Sequence, residues 1–261
     1  MKDIIFIHGM FLTAKSWKPW EKFFGARGYN CRSLFWPLHE DEPAILRSNP
    51  PANLGDLHLD EVVASMTHEI LKHDKPVVIG HSVGGLIAQL LANKDLVSLA
   101  VTISSVAPNA MLKFDWNFIK NSALITNPLK GNKPFVMDET SFHQFFANTL
   151  DKSTSDIAWE DYAVYDSRNI LRDCMGPVGQ VDLNKPHIPL LFIIGEEDKI
   201  IPVALAQKNA RAYTDSESIV NFKSFPQRSH FICGEPGWEE VADYVYTWIK
   251  GQQTEPSVKL I

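Results

Sequence analysis

Val77-Val78-Ile79-Gly80-His81-Ser82-Val83-Gly84-Gly85-Leu86 begins as an apolar run and breaks, across a serine bracketed by glycines, into a helical pattern that continues to Leu91. The β-branched run suits a strand buried on both faces. A serine at such a corner must take a strained backbone conformation to project its hydroxyl. A Cβ at position 80 or 84 would crowd the turn. Gly-x-Ser-x-Gly alone arises by chance in on the order of a few per cent of chains this long. The strand–turn–helix setting marks it as a nucleophile elbow. The first amides of the following helix point toward the serine and can stabilise negative charge.

Outward from this corner, strands and helices alternate. Residues 3–8, 30–36, 76–80 and 96–103 read as strands, with helices over 17–26, 57–73 and 83–93. The alternation resumes with strands at 189–195 and 219–225 and helices at 203–213 and 238–250. This order predicts a parallel sheet with helices on both faces. A Pro-rich loop fills 37–56, and 251–261 reads as a loosely held tail. Residues 1–106 and 188–261 therefore form one core. The intervening 107–187 lacks clear strands, is rich in aromatics and is long enough to predict a helical cap; ordinary connecting helices are the plainer alternative. Phe142, Phe145 and Phe146 are spaced to share one helical face.

The bulk numbers narrow the function. The chain has 261 residues, enough for one large domain, and a formal charge of −6. That charge gives no support for nucleic-acid binding. No apolar run approaches the roughly 18 residues of a membrane span, and Ile4–Ile7 is too short for a signal-peptide core. Three widely spaced cysteines, Cys31, Cys174 and Cys233, fit a reducing cytoplasm better than a disulfide framework. No Cys/His spacing resembles a zinc site, so no metal is expected.

A serine needs a base. Of nine histidines, His230 follows the last strand in a loop, where site residues of a parallel sheet gather. A surface loop histidine is the plain alternative. His81 adjoins the serine and should point elsewhere, and His8 should brace its own loop. The base needs a carboxylate to fix its tautomer. Asp198 directly follows the strand Leu190–Ile194, with Glu196 and Glu197 as near competitors and Asp182 and Asp215 fitting less well. Acyl transfer needs donors for an oxyanion. The Val83 N–H is one; the other is the Met10 N–H in His8-Gly9-Met10-Phe11, with Phe11 as the alternative.

With these residues in place, the chain resembles the α/β-hydrolase superfamily. The resemblance rests on His8-Gly9-Met10-Phe11, Trp17, Gly80 to Gly85, Gly195 to Pro202 and Ser229-His230-Phe231, in the family's order. It implies a mostly parallel sheet, a Ser82–Asp198–His230 triad and no obligatory cofactor. Two strands that usually precede the His-Gly strand are missing, which predicts about six strands in the order 2-1-3-4-5-6. A serine at position 82, where dehalogenases and epoxide hydrolases of this fold carry aspartate, favours ester-like substrates, and the aromatic residues of the expected cap point to small, apolar ones. Thioesters, lactones, C–C bond hydrolysis and cofactor-free haloperoxidation remain open, as does a small-molecule receptor that keeps the triad. Trp36, Phe142, Phe145, Phe146 and Trp159 are the expected pocket residues, with core packing as the alternative. The oligomeric state is left open.

Overall fold

The computed structural model describes residues 2–112, 123 and 125–254. The rest of the expected cap, at 113–122 and 124, and the tail from 255 lie outside the described residues. Six strands form one sheet in the order β2-β1-β3-β4-β5-β6, with every neighbouring pair parallel. They are β1 (Asp3–Ile7), β2 (Asn30–Leu34), β3 (Val77–His81), β4 (Leu99–Ile103), β5 (Leu190–Gly195) and β6 (Val220–Phe225). This is the six-stranded parallel order that the sequence predicts.

The alternation of side chains divides the apolar residues between two cores. Ile5, Ile7, Val78 and Phe192 face one layer, which includes α3 (Leu59–Ile70) and α4 (Val83–Asn93). Ile4, Phe6, Val77, Ile79, Val101 and Ile193 face the other, against Trp20 and Phe24 of α1 (Lys18–Gly25) and Val241, Val245 and Ile249 of the helix Trp238–Thr254. The inner strands β3, β4 and β5 are buried throughout, because both faces are covered. The edge strands β2 and β6 are only partly buried.

All strand C-termini meet at one edge, and backbone strain gathers there. Phe11, Leu38, Ser82, Ser104 and Gln227, each at positive φ without being glycine, follow β1, β2, β3, β4 and β6 respectively. The 37–56 stretch, read as a loop, contains the helix α2 (Pro43–Ser48), started by a proline whose missing N–H costs nothing at a first turn. Between β4 and β5 the chain forms helices Lys152–Tyr162 and Arg168–Cys174 and a π-type turn over Phe142–Phe146. A single antiparallel bridge joins Phe135 to Asp166. Among the described residues, no helix is long and apolar enough to cross a membrane, and no cluster of three His, Cys, Asp or Glu side chains could hold a metal.

Candidate active site

Ser82 sits between β3 and α4 with φ 55° and ψ −118°. Its N–H donates to the Ile103 carbonyl at 2.9 Å, while its own carbonyl accepts from Gly85, Leu86 and Val106. These bonds hold a conformation that serine does not favour. The flanking glycines are required by space. A Cβ on Gly80 would lie 2.1 Å from the Gly84 carbonyl oxygen, and one on Gly84 would lie 2.3 Å from that of Ile7.

Asp198 and His230 meet from different loops. The Asp198 Oδ2 lies 2.8 Å from the His230 Nδ1. Its Oδ1 accepts the Ile200 and Ile201 N–H groups at 2.9 and 2.8 Å. A carboxylate only accepts, so the His230 proton resides on Nδ1 and the Nε2 lone pair is left available. Ser82 and His230 line the same cavity. Glu196 and Glu197 are exposed, and Glu196 bonds Ser224 instead. Asp182 is exposed and Asp215 bonds Ser218. The sequence reading overlooks Glu235, whose buried carboxylate accepts the Ser229 N–H at 3.1 Å and the Ser229 hydroxyl at 3.0 Å. It braces the loop that carries His230; in Gly234-Glu235-Pro236 it looks like an ordinary turn residue.

The loop after β1 comes up against the elbow, where a Cβ on Gly9 would lie 2.7 Å from that of Ser82. Its amides are not equivalent. The Phe11 N–H donates to Asp166 Oδ2 at 3.1 Å, whereas among the described residues the Met10 and Val83 N–H groups have no hydrogen-bond acceptor. The alternative donor, Phe11, is thus already engaged. His8 braces this loop. The Trp36 N–H donates to its Nε2, so its Nδ1 carries the proton and donates to the Gly9 carbonyl. Burial, aided by the neighbouring His39, lowers the His8 pKa to about 3. His39, which sequence alone reads as solvated, partly buried or part of the cap, is fully buried with its Nε2 3.7 Å from Asp166 Oδ2. Burial disfavours its charge, but the Asp166 carboxylate outweighs that and raises its pKa.

The cavity measures about 480 Å³, within the usual range for small-molecule sites. Its walls include Met10, Phe11, Phe135, Met137, Phe145 and Phe146. Three expected pocket residues do not line it. Trp36 is buried and stacks on His8 with ring centroids 4.7 Å apart. Phe142 is buried and stacks on Phe146. Trp159 donates its indole N–H to the Met137 carbonyl and packs under Arg47, so it supports the wall from behind. Phe146 sits edge-on to the His230 ring, centroids 4.9 Å apart, and its carbonyl accepts the Phe231 N–H.

Residues 4–244 match the model of the alpha/beta hydrolase family. A non-heme chloroperoxidase from Streptomyces lividans is 25% identical over 243 residues, covering 85% of this chain and 84% of the relative. Solved structures share the fold at lower identity. A methylesterase from Arabidopsis superposes with a TM-score of 0.68 at 12% identity, covering 96% of this chain and 100% of its own. A monoacylglycerol lipase from Paleococcus ferrophilus superposes at 0.68 with 16% identity, covering 96% and 94%.

Proposed function

The chain belongs to the alpha/beta hydrolase family, and from that premise we propose that it is a serine hydrolase cleaving a small carboxylic ester, thioester or lactone. The observation that carries this reading is the His230 ring held by Asp198 at 2.8 Å, its Nε2 left as a base in the cavity that Ser82 also lines. Ser82 Oγ attacks the carbonyl as His230 Nε2 takes its proton. The Met10 and Val83 amides receive the oxyanion, and the N-terminus of α4 adds favourable partial charge. His230 then protonates the leaving alcohol or thiol. In the second half it takes a proton from water, which attacks the acyl-enzyme, and it returns that proton to Ser82 Oγ as the acid is released. Asp198 holds the ring throughout and stabilises it whenever it becomes imidazolium.

Residues 107–187 act as a cap over this chemistry, and the apolar wall with Phe145 and Phe146 takes the acyl group. The test is turnover of p-nitrophenyl esters of graded chain length together with fluorophosphonate labelling. Labelling at Ser82 and loss of both signals in Ser82→Ala are expected; undiminished turnover by that variant would refute the mechanism. A second reading, cofactor-free haloperoxidation on the same residues, draws on the Streptomyces lividans relative. Halogenation with hydrogen peroxide and halide that outpaces ester turnover would favour it.

A further inference from the structure

We propose that Asp166 is a positioning residue for the oxyanion loop: its buried carboxylate fixes the Phe11 peptide in left-handed backbone and thereby leaves the Met10 N–H as the loop's unspent donor. This rests on the reading of Ser82 as the nucleophile. Phe11 lies at φ 67°, a conformation that costs a bulky residue energy and persists only where surroundings impose it. Both its backbone polar groups are held by the same short segment. The Phe11 N–H donates to Asp166 Oδ2 at 3.1 Å, and the Phe11 carbonyl accepts the Val164 N–H at 3.0 Å.

Asp166 is itself firmly placed. It is fully buried, its Oδ1 accepts the Ser167 N–H at 2.9 Å, and its backbone exchanges two hydrogen bonds with Phe135. His39 stands 3.7 Å from Oδ2, and the carboxylate raises its pKa despite the burial of the ring. His39 in turn donates from Nδ1 to the Pro37 carbonyl at 2.9 Å. The aspartate therefore links three parts of the chain: the loop after β1, the loop after β2 and the segment between β4 and β5. Without the Asp166 acceptor, the buried Phe11 N–H is left unpaired and only the Val164 bond opposes relaxation of the strained setting, so the Met10 amide is free to turn.

The experiment compares the parent with Asp166→Ala, the similarly shaped Asp166→Leu, and His39→Asn, whose amide can still donate to Pro37. kcat and KM for a p-nitrophenyl ester, thermal stability and Phe11 amide exchange by NMR are measured in each. Losing a correctly placed oxyanion donor predicts kcat at least about tenfold lower in the Asp166 variants, with KM changed by less than about threefold. Their Phe11 amide exchanges at least about tenfold faster, while β3 amides stay protected. His39→Asn loses stability but keeps kcat within about threefold, since the Phe11 acceptor remains. Should Asp166→Ala not fold, Asp166→Leu carries the test. kcat within about twofold of the parent in a folded Asp166 variant overturns the proposal. So does an equal fall in His39→Asn. A parent in which Ser82 takes no fluorophosphonate counts against the nucleophile reading instead, and Phe11 exchange still judges Asp166.

Discussion

The ring of His81 donates from Nε2 to the backbone carbonyl of His230 at 2.8 Å. The residue before the proposed nucleophile thus holds the loop that carries the proposed base. A carbonyl only accepts, so the His81 proton lies on Nε2, and burial, then the neighbouring His230, keeps this ring neutral by lowering its pKa. His81→Phe retains the ring volume but leaves the His230 carbonyl without its donor. Its kcat should fall about tenfold, the factor that roughly 1.4 kcal/mol represents, with KM little changed in steady-state ester assays.

Asp198→Asn should be far more damaging. The amide oxygen would remain with the Ile200 and Ile201 N–H groups, turning the NH₂ toward His230 Nδ1. That selects the tautomer with its proton on Nε2, which cannot act as base. kcat should drop by at least about a hundredfold while the melting temperature moves little; a variant keeping half its activity would refute the assignment.

Phe145 and Phe146 are adjacent but should respond differently to truncation. Phe145 lines the cavity yet is 47% exposed, while Phe146 is 1% exposed and stacked on Phe142. Phe145→Ala should change stability by less than about 0.5 kcal/mol and raise KM for long acyl chains more than for acetyl. Phe146→Ala should cost about 3–5 kcal/mol in urea denaturation and lower kcat for every ester, because His230 loses its ring neighbour.

Acid should weaken the fold before the carboxylates titrate. His8 has a folded pKa near 3 against an ordinary 6.5. Between those values the unfolded chain binds a proton that the native chain refuses, so stability is full above 6.5 and falls as pH drops. The buried His81, shifted the same way, adds to the slope. His39, whose pKa is raised, has the opposite sign: its contribution is full below 6.5 and fades as pH rises through its folded value. Urea denaturation at pH 7, 6 and 5 should show a loss approaching about 1 kcal/mol per pH unit from His8. His8→Gln, which can still accept from the Trp36 N–H, should flatten that slope; an unchanged slope would assign the effect elsewhere.

The sheet was legible because its signals are local. The buried runs of β3, β4 and β5, the glycines around Ser82, and Asp198 and His230 just beyond strand ends all declare themselves within a few residues. The cavity walls were less so. Aromatic spacing puts Phe142, Phe145 and Phe146 on one α-helical face, but the wider turn closed by the Ala147 N–H to Phe142 carbonyl bond buries the first and exposes the second. Trp36 and Trp159 have composition suited to a pocket, yet each is committed to a partner that sequence does not reveal. Asp166, His39 and Glu235 look like solvated polar residues until the chain folds around them. Their partners lie far away in sequence or, for Glu235, across a loop whose shape no periodicity encodes.

The two bonds between Phe11 and the Val164–Asp166 stretch also bear on traffic. They tie the loop after β1 to the segment between β4 and β5, so the two cannot part without breaking the bonds that hold the proposed oxyanion loop. Among the described residues that line the cavity, Phe145 and Lys199 are the exposed ones.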